Sequence, residues 1–146
     1  FIYKHPFIKS CVHFSSLFCP WMVAIFYSLF LLKIVIESPN GFFYLFSKPM
    51  MVLICTALLR IFINRPRPYE KYSIKPIGDK RHSFPSIHAS LTLSIALTVI
   101  KTGPNMGLLL FALAFTITIT RLLTGEHYLT DIIASILIAL GIYFIS

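Results

Sequence analysis

The sequence predicts an all-α bundle embedded in a membrane, with about five spanning helices. Two observations carry that expectation. Of the 146 residues, 57% are hydrophobic, with a mean hydropathy of +0.82, well beyond what the surface of a soluble domain of this length tolerates. The few charges cluster from Arg60 to Arg81 and from Arg121 to Asp131, leaving long stretches nearly free of them, as a hydrocarbon environment requires. Helices are favoured over strands because an open sheet leaves unpaired edges in lipid and the alternation of a membrane barrel is missing.

Residues 1–18 mix His, Lys and Ser with Phe and Ile and read as an interfacial segment. They lack the order of a signal peptide. The first span runs from Trp21 to Ile36, with Lys33 able to snorkel. Ser38 to Gly41 form a turn, and Gly41 to Ser47 is an aromatic, interfacial stretch. A second span covers about Pro49 to Ile63 and carries Arg60 near its end. Residues 64–85 are a basic, proline-rich loop including Lys71, Lys75, Asp79, Lys80 and Arg81. The third span begins near Ser86 and ends near Ile100. After a tight connection at 101–105, the fourth covers about Met106 to Thr120, and after a polar stretch at 121–130 the fifth runs to about Phe144. No internal repeat or boundary divides the chain, so residues 1–146 form one domain. Counting spans puts the loops at 64–85 and 121–130 on one side of the membrane.

A net charge of +8 would suggest nucleic acid in a soluble protein. Here the basic residues flank apolar segments, so anionic headgroups or a phosphorylated substrate are the expected partners and nucleic acid is not. Cys11, Cys19 and Cys55 show no metal-ligand spacing or disulfide framework.

Three groups of residues carry chemistry. His127 and Asp131 are four apart, so on a helix they share a face, where a carboxylate can fix the tautomer of the ring. Gly125 interrupts the helix after Arg121, letting that side chain fold back toward the ring. Alone, the group reads equally well as a polar helix start. The second group is Ser83, Phe84, Pro85, Ser86, Ile87 and His88; Pro85 followed by Ser86 at the start of an apolar run reads as a helix N-terminus, which favours anions. Ser86 either caps that helix or donates to the anion, and His88 stands beside it as a proton donor. The third group spans Arg60 to Pro68. Arg60 ends a membrane helix, and Pro66 and Pro68 fix the path of the chain that presents Arg65 and Arg67, whose guanidinium forks suit phosphate. A positively charged membrane flank accounts for the charge but not for the paired prolines. Together the groups hold anion clamps, a nucleophile with an orienting carboxylate, and an acid for a leaving group.

These residues resemble the type 2 phosphatidic acid phosphatase family, which includes bacterial undecaprenyl diphosphate phosphatases. The family signature is Lys-x6-Arg-Pro, Pro-Ser-Gly-His and Ser-Arg-x5-His-x3-Asp. This chain reads Arg60-x6-Arg67-Pro68, Pro85-Ser86-Ile87-His88 and Thr120-Arg121-x5-His127-x3-Asp131, and the resemblance covers residues 49–146. It implies that His127 attacks phosphorus to form a phosphohistidine, that Asp131 holds its ring, and that His88 protonates the leaving oxygen. Arg60, Arg67, Ser86, Ile87 and Arg121 would bind the phosphate, with neither metal nor cofactor. Arg60 replaces a lysine, Thr120 a serine and Ile87 a glycine; the last, being β-branched, is expected to crowd backbone N–H groups at the phosphate. The family usually has six spans with the second motif opening the fourth, so its first helix is expected to be missing or to precede Phe1.

Ten of the thirteen Lys and Arg residues fall on the presumed active side, which by charge alone would place it in the cytoplasm. The resemblance implies an outward-facing site in a bacterial plasma membrane. It also implies a lipid phosphate substrate, undecaprenyl diphosphate first because short loops leave little room for headgroup recognition, with phosphatidylglycerol phosphate and phosphatidic acid as alternatives. A non-catalytic lipid-phosphate-binding protein, suggested by Ile87, and a small transporter or structural subunit are the rival classes. Soluble haloperoxidases share a related signature, but the apolar spans exclude a soluble fold.

Overall fold

The computed structural model describes residues 6–68 and 83–145; most of the basic loop, including Lys71 to Arg81, and the first five residues lie outside the described residues. Among the described residues five helices follow in order: α1 (Pro6–Glu37), α2 (Pro39–Phe62), α3 (Ile87–Thr102), α4 (Pro104–Leu123) and α5 (Leu129–Phe144). The chain is an all-α membrane bundle. Three helices, α1, α2 and α4, are each long and apolar enough to cross a bilayer, and α3 and α5 are shorter apolar helices.

The element boundaries differ from the sequence reading at the N-terminal end. Residues 6–18 are not a separate element but the first turns of α1, whose 32 residues span about 48 Å against a hydrocarbon core of about 30 Å. The turn at 38–41 shrinks to Ser38 alone. Pro39 supplies the first residue of α2, where its missing N–H is no loss, and the aromatic stretch 41–47 continues into the same helix.

Both long helices contain a proline, Pro20 in α1 and Pro49 in α2. A proline inside a helix has no N–H for the carbonyl four residues earlier, and in lipid that carbonyl needs another partner. For Pro49 the carbonyl is that of Leu45, and it accepts the Tyr27 hydroxyl of α1 at 2.7 Å. The helical defect thus becomes an interhelical hydrogen bond.

Helix α3 is central and packs against the other four. Apart from Ile95 and Val99, its buried residues are small or hydroxylated: Ala89, Ser90, Thr92, Ser94, Ala96 and Thr98. Hydroxyls of Ser90, Thr92 and Thr98 donate to carbonyls three or four residues back, so small side chains let helices approach without exposing polar atoms to hydrocarbon. At Gly107 of α4 the approach is closest, since a Cβ there would lie 2.4 Å from the Ile100 Cα. Val23, Phe30, Ile34, Leu45, Ile95, Val99, Leu110 and Ile117 fill the core among α1–α4. Trp21, Leu32, Phe62, Phe115 and Leu137 point outward, the arrangement expected where lipid is the solvent.

Candidate active site

The motifs meet at one end of the bundle, where the segment after α2, the start of α3 and the α4–α5 turn are laced together. Ser83 N–H donates to the Arg65 carbonyl at 2.8 Å, and the Ser83 hydroxyl donates to the Pro66 carbonyl at 3.3 Å. Ser86 is the N-cap of α3, its hydroxyl oxygen accepting Ala89 N–H. The capping alternative of the sequence reading therefore applies, and an accepting hydroxyl still carries its own proton. The Ser86 backbone is clamped to α5 through Ser135, whose hydroxyl accepts Ser86 N–H at 2.9 Å and lies 3.0 Å from the Ser86 carbonyl. Pro85 precedes the cap instead of starting the helix, and Ile87 is the first helical residue, a conformation open to a β-branched side chain at a small cost in χ1 freedom.

The α4–α5 turn is built by Gly125, at φ +71°. Gly125 N–H bonds to the Leu122 carbonyl and Glu126 N–H to the Arg121 carbonyl, the paired pattern of a helix ending in a left-handed glycine. The reversal returns the Glu126 carboxylate to the Arg121 side chain. Glu126, 3% exposed, pairs with Arg121 Nη1 and, at 3.4 Å, with Arg67 Nη1, so one buried carboxylate joins an arginine from each of two motifs. The second Arg121 nitrogen, Nη2, donates to the Ser16 carbonyl of α1 at 3.3 Å. Arg121 Nε is buried with no hydrogen-bond partner among the described residues, which leaves a charged donor available for an anion.

His127 is 4% exposed, and its Nδ1 lies 2.7 Å from the Ser83 carbonyl but 3.7 Å from Asp131 Oδ2. A carbonyl only accepts, so Nδ1 carries the proton and the neutral ring keeps its lone pair on Nε2. Asp131 is fully buried and has closer partners: Arg65 Nη1 at 2.8 Å on Oδ1 and Tyr128 N–H at 2.9 Å on Oδ2. Arg65 also stacks over the Tyr128 ring, 4.1 Å from its centroid, and bonds Thr130. It is thus an anchor for Asp131, not an outward phosphate fork.

His88, in the first turn of α3, opens on a cavity of about 390 Å³ lined by Arg121 and, from α1, by Ser16, Leu17, Pro20, Trp21 and Ala24. Arg121 and Glu126 supply charge near His88, and His127 and Arg60 lie within its electrostatic reach. His127, Asp131, His88, Arg121 and Arg67 are therefore gathered in one place, with Arg60 close enough to be felt there. Among the described residues no three His, Cys, Asp or Glu side chains are arranged to hold a metal ion.

Four contributors escaped the sequence reading. The Ser83 and Ser16 carbonyls are backbone groups and leave no residue signal. Ser135 continues the face of Asp131 by four residues, a spacing readable from the sequence, and Glu126 is one of only five acidic residues in the chain, open to detection because an ionisable residue in a membrane protein is a functional candidate by default.

The family model of the PAP2 superfamily matches residues 41–146. The chain belongs to the PAP2 superfamily. It is accordingly a membrane enzyme, a phosphatase. Two crystal structures are similar to it in fold. LpxE from Aquifex aeolicus is 22% identical with a TM-score of 0.76, the match covering 97% of this chain and 86% of that one. The first transmembrane PAP2-type phosphatidylglycerolphosphate phosphatase from Bacillus subtilis is 21% identical with a TM-score of 0.55, covering 96% and 84%. No curated protein matches in sequence.

Proposed function

We propose that this PAP2 enzyme hydrolyses a lipid phosphate or diphosphate through a phosphohistidine on His127, with undecaprenyl diphosphate as the first candidate substrate. The Ser83 carbonyl on His127 Nδ1 carries this reading, because it directs the lone pair to Nε2, the nucleophile. Nε2 attacks phosphorus as the P–O bond to the leaving oxygen breaks, and protonated His88 delivers its proton to that oxygen. Neutral His88 then takes a proton from water as the hydroxyl attacks phosphorus, releasing inorganic phosphate and free His127. Arg67, Arg60 and the unpartnered Nε of Arg121 would balance the charge on the equatorial oxygens, and Asp131 would stabilise the cationic ring electrostatically. The lipid tail stays in the bilayer beside the cavity at the end of the bundle. The family resemblance favours a site facing outward from a bacterial plasma membrane.

Phosphate release from undecaprenyl diphosphate, phosphatidylglycerol phosphate and phosphatidic acid in detergent with EDTA, comparing wild type with His127→Ala, tests the reading. Release by the wild type alone, with acid-labile phosphate trapped on the protein, is expected, and the three rates rank the substrates. Equal release by both proteins would remove His127 from the chemistry. Lipid phosphate binding without release by the wild type would favour the non-catalytic binder.

A further inference from the structure

We infer that Pro20 of α1 is a positioning residue for Arg121, acting through the backbone carbonyl of Ser16; this rests on the reading that Arg121 binds the substrate phosphate. In an uninterrupted helix the Ser16 carbonyl accepts the N–H of residue 20. That residue is Pro20, within α1, which has no N–H to give. Ser16 is 2% exposed, so its carbonyl is largely shielded from bulk water, and a buried carbonyl without a partner is costly. Arg121 Nη2 approaches it at 3.3 Å. With Nη1 on Glu126, the guanidinium is held at two of its three nitrogens, and Nε is the one left without a partner among the described residues.

The same device recurs at Pro49, where the freed Leu45 carbonyl takes the Tyr27 hydroxyl. There it joins two helices; at Pro20 it fixes a charged group beside the reacting centre. Pro20 and Ser16 lie before residue 41, where the family match begins, so α1 reaches the site from outside the matched segment. Helix α1 also walls the cavity opposite His88 through Leu17, Pro20, Trp21 and Ala24. Restoring an N–H at position 20 would give the Ser16 carbonyl an intrahelical donor that competes with the guanidinium and loosens its orientation.

The test is competitive inhibition by inorganic phosphate, measured for wild type, Pro20→Ala, Pro20→Gly, Pro49→Ala and Arg121→Ala alongside each melting temperature. Both Pro20 variants are expected to raise the inhibition constant about three- to tenfold, less than the full worth of a charge-assisted hydrogen bond because only the orientation of Arg121 is loosened. Pro49→Ala repairs the other helix in the same way and should leave that constant unchanged. No change in either Pro20 variant, or an equal change in Pro49→Ala, would overturn the inference while leaving the role of Arg121 intact. Wild-type phosphate inhibition in Arg121→Ala would overturn the reading beneath it.

Discussion

His127 Nδ1 sits a full ångström closer to the Ser83 carbonyl, at 2.7 Å, than to the Asp131 carboxylate, at 3.7 Å. The ring is oriented by a neutral backbone acceptor, while the carboxylate supplies charge from slightly farther away and is itself anchored by Arg65. Two roles expected of Asp131 are thereby divided between two groups. Asp131→Asn, which preserves shape and one acceptor oxygen, is expected to reduce kcat while leaving KM nearly unchanged, since ring geometry survives and stabilisation of the cationic ring does not. A KM increase without loss of kcat would mean that Asp131 serves binding instead.

Removing Arg65 should be felt in stability before activity. Arg65→Ala leaves the buried Asp131 charge without its ion-pair partner. The Arg65 side chain is 35% exposed, so the loss should fall between that of a surface pair and a buried one, about 1–3 kcal/mol. A lower melting temperature in detergent is the expected result, and Arg65→Lys should recover only part of it because the stack on Tyr128 needs a planar guanidinium.

Glu126 places a negative charge between two arginines assigned to phosphate. Glu126→Gln removes that competitor, and inorganic phosphate is expected to inhibit about tenfold more strongly, in line with the loss of one nearby like charge. Isothermal titration or inhibition kinetics reads this directly. Weaker inhibition would mean that the carboxylate matters more for holding Arg67 and Arg121 in place than for opposing the anion.

The proton from His88 matters only when the leaving group needs one. In the step that forms the phosphohistidine, His88→Gln should therefore lose about 10²–10⁴-fold on a lipid phosphate and far less on p-nitrophenyl phosphate, whose leaving oxygen departs unprotonated. Equal losses on both substrates would assign His88 to phosphate binding.

Ile87 occupies the first residue of α3, where helical geometry suits it. Ile87→Gly is expected to change activity by less than about threefold and to lower stability by roughly 0.5–1 kcal/mol through backbone entropy. A gain above about tenfold would show that the isoleucine does crowd the phosphate.

The apolar segments and the motif spacing made the bundle and most of the site legible from residues alone. Five apolar runs demand helices because lipid leaves backbone groups no other partner, and a spacing of four brings Asp131 and Ser135 onto one helical face; His127, expected on that face, instead lies in the turn just before the Tyr128 N-cap. Gly125 announced the turn that returns the chain to Arg121. Tertiary structure alone decided which groups those side chains meet. The acceptor for His127 is a backbone carbonyl 44 residues away, and Arg121 reaches one 105 residues away. Every residue has a carbonyl, so only the folded packing determines which one is left unpaired and which donor lies beside it.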